Sequence, residues 1–168
     1  MVEPTAHPDA DRFWRFSLAL YLPEENRALF LRLQDEDGMD VPLTLFCLWC
    51  GAEGLALSEP ALHEAIAFSG DWRRERVEPL RTLRRRWKEA PGSLPPALAE
   101  AARQRVAAAE QAIERLQMDH LVTLRAGAPD GTQALRRNLD LYARLAGLAP
   151  AQVDREAVAR IASQQGNE

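Results

Sequence analysis

The chain has 168 residues, 46% hydrophobic and 27% charged, with a net charge of −4. That is a globular composition, and its acidic balance excludes a general polyanion binder. No apolar run reaches the roughly 18–20 residues of a membrane span, and the opening "MVEPTAHPDADR" lacks the basic-then-apolar pattern of a secretory signal.

Residues 1–8, with Pro4 and Pro8, read as a loose tail. Helical spacing begins over 9–22, where Phe13, Phe16 or Ser17, Leu20 and Tyr21 recur every three or four residues. Asp9 or Asp11 caps this helix and Pro23 stops it. A second helix, 24–36, has Glu24 and Glu25 in its first turn, where the helix dipole favours anions, and a stripe of Leu29, Phe30 and Leu33. Gly38 suits a left-handed stop and Asp40 an N-cap, with Pro42 in the first turn of a third helix, 41–51. Its "VPLTLFCLWC" is apolar nearly all round and belongs at the centre of a bundle, with Gly51 and Gly54 ending it. Ser58 caps a fourth helix, "SEPALHEAIAFSG", and Asp71 caps a fifth over 72–89, which Pro79 kinks or restarts. A linker at 90–96 leads to a long helix, 96–125, with Leu98, Ala102, Val106, Ala109, Ile113, Leu116 and His120 along one seam. Helices at 132–146 and 150–163 follow "GAPDGT", and 164–168 is a frayed tail. No run alternates with period two, so no strand is expected. The fold class is therefore all-α: a single-domain irregular or orthogonal helical bundle of seven to eight helices. The motif-bearing half spans 9–90 and the second helical half 96–163.

Chemical motifs are few. "LQDEDGMDVPLTLFCLWCG" crowds acids around Gly38. A calcium loop starting at Asp35 would need a ligand, a glycine and a glutamate where Met39, Asp40 and Phe46 stand. Cys47 and Cys50 form a Cys-x-x-Cys late in an apolar helix, without the strand or second ligand pair that redox or zinc chemistry requires. Two cysteines without a signal segment fit a cytoplasmic protein. None of His7, His63 and His120 stands four residues from another His or Cys, and no nucleophile elbow or glycine-rich phosphate loop occurs. No catalytic residue, metal or cofactor is assigned.

The fifth helix carries the remaining signal. Residues 71–90 hold seven Arg and one Lys against four acids. At 100° per residue, Trp72, Val77, Leu80, Leu83 and Trp87 form an apolar face, and Arg74, Arg81, Arg85 and Lys88 a cationic stripe. Arg73 and Arg84 fall between stripe and core. Arg76 points into the apolar face, where a buried Asp35 or Asp40 would pair with it. The stripe is either a solvated face in an arginine-rich chain or a docking surface for an acidic protein or anionic small molecule. Nucleic acid ranks third, because both tryptophans lie on the apolar face.

Three stretches, "FWRFSLALY" (Phe13–Tyr21), "LQDEDGMDVPLTLFCLW" (Leu33–Trp49) and "WRRERVEPLRTLRRRWK" (Trp72–Lys88), resemble a family of small, all-helical proteobacterial proteins classed as a domain of unknown function. The resemblance covers residues 12–90. Pro42 stands where the family pattern carries Asn. The resemblance implies that the acidic corner and the arginine helix belong together, with Gln34, Asp35 and Asp40 meeting Arg73, Arg76 and Arg84. The leading expectation is a non-catalytic interaction or regulatory module. The alternative is a ligand- or phosphate-binding protein, an enzyme among the options, with its pocket at the Gln34, Asp35 and Asp40 corner.

Overall fold

The computed structural model describes residues 7–89, 92–149 and 151–165. Residues 1–6 of the expected 1–8 tail, the linker residues 90 and 91, residue 150 at the expected start of the last helix, and the last three residues lie outside them. Gln164 and Gln165, expected to fray, close the last helix.

At the centre is α3 (Val41–Ala52), in which every residue from Leu43 to Gly51 is buried. Around it pack α1 (Ala10–Tyr21), α2 (Glu24–Asp35), the C-terminal part of a 28-residue helix (Pro96–Thr123), and the last two helices, Ala134–Ala146 and Gln152–Gln165. Phe13 stacks on Trp49 at 5.1 Å and meets Phe46 edge-on at 6.0 Å. Side chains of this size contribute about 1.5–3 kcal/mol each when buried. The entry to α3 follows the sequence reading. Gly38 adopts φ 72°, Met39 donates its N–H to the Leu33 carbonyl at 3.0 Å, and the Asp40 carboxylate accepts the Leu43 N–H at 2.9 Å.

Gly51 does not end α3. It lies inside the helix where the Ala134–Ala146 helix crosses so closely that a Cβ would fall 2.5 Å from the Leu135 Cα. Nor is the fold free of strands. β1 (Leu55–Leu57) and β2 (Gly127–Pro129) pair antiparallel, with Ala56 opposite Ala128. Three residues are too few to show a period of two. Asn138 completes the ladder from the other side. Its amide accepts the Leu57 N–H at 2.8 Å and donates to the Leu55 carbonyl at 2.9 Å and the Cys47 carbonyl at 3.1 Å. A side-chain amide thus stands in for a third strand.

The fourth and fifth helices are one rod. α4 (Glu59–Trp72) starts at Ser58, whose hydroxyl accepts the Ala61 N–H at 3.4 Å. It runs through a π turn (Arg73–Val77) into α5 (Glu78–Glu89) without a break. Asp71 is therefore no cap; it pairs with Arg74 at 2.7 Å. Pro79 has no N–H to give, and its ring crowds the carbonyl four residues back. The turn before it widens, so that Glu78 bonds the Arg73 carbonyl five residues away. Among the described residues, eight α-helical pieces thus make seven helices.

α5 turns back along α6 (Pro96–Thr123) as an antiparallel hairpin. α5 buries no residue, and the buried positions of α6 begin only at Glu110. The expected seam of α6 is consequently not a seam. Leu98 is 56% exposed and Leu116 44%, with Ala109 and His120 also open. The side that meets the core carries Gln117, Met118, Leu121 and Val122. α7 (Ala134–Ala146) and α8 (Gln152–Gln165) close the structure, with Arg32 of α2 donating to Asp154 of α8 at 2.6 Å. No helix among the described residues is long and apolar enough to cross a membrane.

Candidate functional site

Where the hairpin joins the core, arginines of α5 meet carboxylates of α6. Glu110 and Glu114 stand one turn apart on α6, as Arg81 and Arg84 do on α5. Arg81, 12% exposed in its side chain, donates to Glu110 at 3.0 Å, Glu114 at 2.9 Å and Glu78 at 3.4 Å. Arg84 donates to the other Glu110 oxygen at 2.5 Å. Glu78 also accepts from Arg73 at 2.9 Å. Burial works to raise the Glu110 carboxyl, but the bonds from Arg84 and Arg81 outweigh it and hold it below the usual value. Burial prevails at Glu114, with Glu110 and Asp40 adding to it against Arg81, and pushes that carboxyl up.

Asp40 adjoins this joint. Its carboxylate accepts from Gln117 at 3.2 Å as well as from Leu43, and its own N–H donates to the Tyr142 hydroxyl at 2.9 Å. Desolvation is the largest influence on the Asp40 carboxyl and raises it, against the Leu43 N–H, Arg73, Gln117 and Arg81. Burial likewise pushes the Tyr142 phenol up. Asp40 thus ties α3, α6 and α7 together at one point.

The network expected at the acidic corner is distributed differently. Arg73 and Arg81 act on Asp40 through space, with no ion pair to it among the described residues. Gln34 donates to exposed Asp35 at 3.2 Å, and neither pairs with Arg73, Arg76 or Arg84. Arg76 does not enter the apolar face. It is exposed and pairs with neighbouring Glu75 at 3.4 Å. The π turn is the reason. It adds about one residue of rotation between Trp72 and Glu78, so a 100° wheel carried across it misplaces one side relative to the other. Arg74 faces solvent with Asp71, while Arg81 leaves the expected stripe for the interior of the hairpin. Glu110, Glu114, Gln117 and Tyr142 were missed from sequence. The four-residue spacing of Glu110 and Glu114 on a long helix was the available signal. Arg86, also overlooked, remains exposed with Arg85, Lys88 and Arg105, and none of these four makes an ion pair among the described residues.

Other chemistry is sparse. Cys47 and Cys50 are free, fully buried thiols; burial pushes Cys50 up to about 12 and Cys47 well up too. That leaves little thiolate for redox or metal chemistry. Among the described residues no cluster of three or more His, Cys, Asp or Glu is arranged to hold a metal ion. Two depressions lie away from the joint, one between α7 and α8 at Arg136 and Arg155, the other along the β1–β2 ladder at Ser58 and Arg137.

Residues 12–121 match a family described as a protein of unknown function, DUF2390. The chain belongs to that family. In this DUF2390 protein the matched span runs from α1 to the buried end of α6. It therefore contains both sides of the arginine–glutamate joint and reaches past the 12–90 marked by the motifs. Tyr142 and Asn138 lie beyond it. No curated protein and no solved structure gives a significant match.

Proposed function

We propose that this is a cytoplasmic, non-catalytic interaction module in which the core holds out the α5–α6 hairpin to an acidic protein partner. The observation that carries this reading is the division of labour among the cations of α5. Arg81 and Arg84 are held in the joint, whereas Arg85, Arg86 and Lys88 of α5 and Arg105 of α6 stay exposed without an ion pair among the described residues. Residues 78–110 hold seven cations against four acids in a chain that is acidic overall. Exposed guanidinium groups suit carboxylates. The two depressions described above lie away from the Asp40 corner, at Arg136 and Arg155 and at Ser58 and Arg137, which suits a partner surface better than a small-ligand pocket at that corner.

A fluorescent polyglutamate peptide, titrated at low salt, tests this reading beside the Arg85/Arg86/Lys88→Gln triple variant. Among the described residues these exposed side chains make no hydrogen bond or ion pair. The peptide should bind the parent chain at least tenfold more tightly than the variant and weaken as salt rises. Equal binding by both chains removes the hairpin from the function. Tighter binding of an oligothymidine of equal charge, with a steep salt slope, makes nucleic acid the partner instead.

A further inference from the structure

The apolar stripe read along α6 is real, and among the described residues most of its length is covered by no helix beyond α5. Leu98, Ala102, Val106, Ala109, Ile113 and Leu116 extend over five turns, about 27 Å at 1.5 Å per residue. Leu98 and Leu116 are open, as reported above, while Val106 and Ile113 are half-buried. α5 contributes to the same side. Taking Arg81 and Arg84 as the direction that faces α6, helical phase puts Leu80, Leu83 and Trp87 on one flank. In an antiparallel pair this is the flank on which Leu98, Ala109 and Leu116 of α6 lie. None of these three α5 residues is fully buried. The base of this face is closed by the end of α4, where the Trp72 indole donates to the Ile113 carbonyl at 3.1 Å and Phe68 lies on His120 at 4.2 Å. Above that base, two helices present a shared apolar side without a third among the described residues.

We infer that an acidic amphipathic helix from a partner protein docks along this side and converts the α5–α6 hairpin into a three-helix bundle. The inference rests on the partner reading above and specifies what the partner presents. The alanines at 102 and 109 let a helix approach closely, and Leu98, Leu116 and Trp87 offer large anchors. By the same helical phase, Arg86 lies about 60° beyond Leu83 on the outer edge of this side and Arg105 about 20° beyond Leu98 and Leu116. Both are exposed cations without an ion pair among the described residues, so an occupant with Glu or Asp beside its apolar stripe complements them. A second copy of this chain laid hairpin to hairpin would bring like charges together, which disfavours self-association here.

Three designed peptides of equal length make the test. One is an acidic helix with leucines at heptad spacing, one has the same composition scrambled, and one is its lysine-for-glutamate counterpart. Each is titrated against the parent chain, the Leu98→Gln/Leu116→Gln variant and the Arg86→Gln/Arg105→Gln variant. Circular dichroism confirms that both variants keep their helix, as expected at exposed positions. The acidic helical peptide should bind the parent chain tenfold or more above the scrambled and basic peptides, gain helicity on binding, and lose that advantage with either variant. If the scrambled peptide binds as well and Leu98→Gln/Leu116→Gln changes nothing, the helix-docking inference falls while the acidic-partner reading stands. If no acidic peptide binds, both fall. If sedimentation instead finds a dimer that Leu98→Gln/Leu116→Gln dissolves, the occupant is a second copy and the inference is overturned.

Discussion

Gly51 and Asn138 each solve one local problem, and both sit where α7 presses on the centre. A Cβ at position 51 would lie 2.5 Å from the Leu135 Cα and 2.7 Å from its N, both backbone atoms that cannot swing aside. Gly51→Ala should therefore destabilise the chain by about 1–3 kcal/mol, although alanine is the better helix former, and urea denaturation will measure it. An unchanged or improved midpoint would mean that α7 can slide without cost. Asn138 satisfies two backbone groups of β1 and one of α3, so its amide does along β1 what a third strand does elsewhere in sheets. Neither role shows in the sequence. One depends on a helix more than eighty residues away, and the other looks like an ordinary polar residue on an amphipathic helix.

Among the elements, the α5–α6 joint concentrates the titratable groups, and the sign of its pH dependence differs from one carboxyl to the next. Glu110 is held low, so its contribution is present above its unfolded pKa and is lost as pH falls through the folded one. Glu114, facing Arg81 but also Glu110 and Asp40, is pushed up. Its ionisation opposes folding as pH rises from the ordinary carboxyl value through the folded one. Glu114→Gln keeps an acceptor for Arg81 and removes that cost. The variant should match the parent chain in acid and become relatively more stable as pH approaches neutrality. A variant that is less stable at neutral pH would show that the Arg81 ion pair dominates. The helices themselves were legible from caps and spacing. Asp40, Ser58, Pro23 and Gly38 mark starts and stops because their chemistry is local. The joint was not legible, because it pairs residues about thirty positions apart. The α6 stripe was found correctly and then assigned to the wrong surroundings, since periodicity reports which side is apolar but not what covers it.

The whole molecule divides by burial into a core around α3 and a hairpin that shares little of it. Local stability should follow that division. Native-state hydrogen exchange is expected to be slowest in α3 and the buried end of α6, and faster by orders of magnitude in α5 and the first half of α6. Uniform protection would mean that the hairpin opens only when the whole chain unfolds. The acidic helical peptide, if bound as inferred, should slow the hairpin selectively. The geometry of this division is set in the rod between Trp72 and Glu78, where the π turn works as a phase adjuster. It decides which quadrant of α5 looks at Glu110 without changing any residue of α5. One residue fewer there would keep every arginine and aim a different set at α6, so the joint depends on the residue count across this turn as much as on the residues themselves.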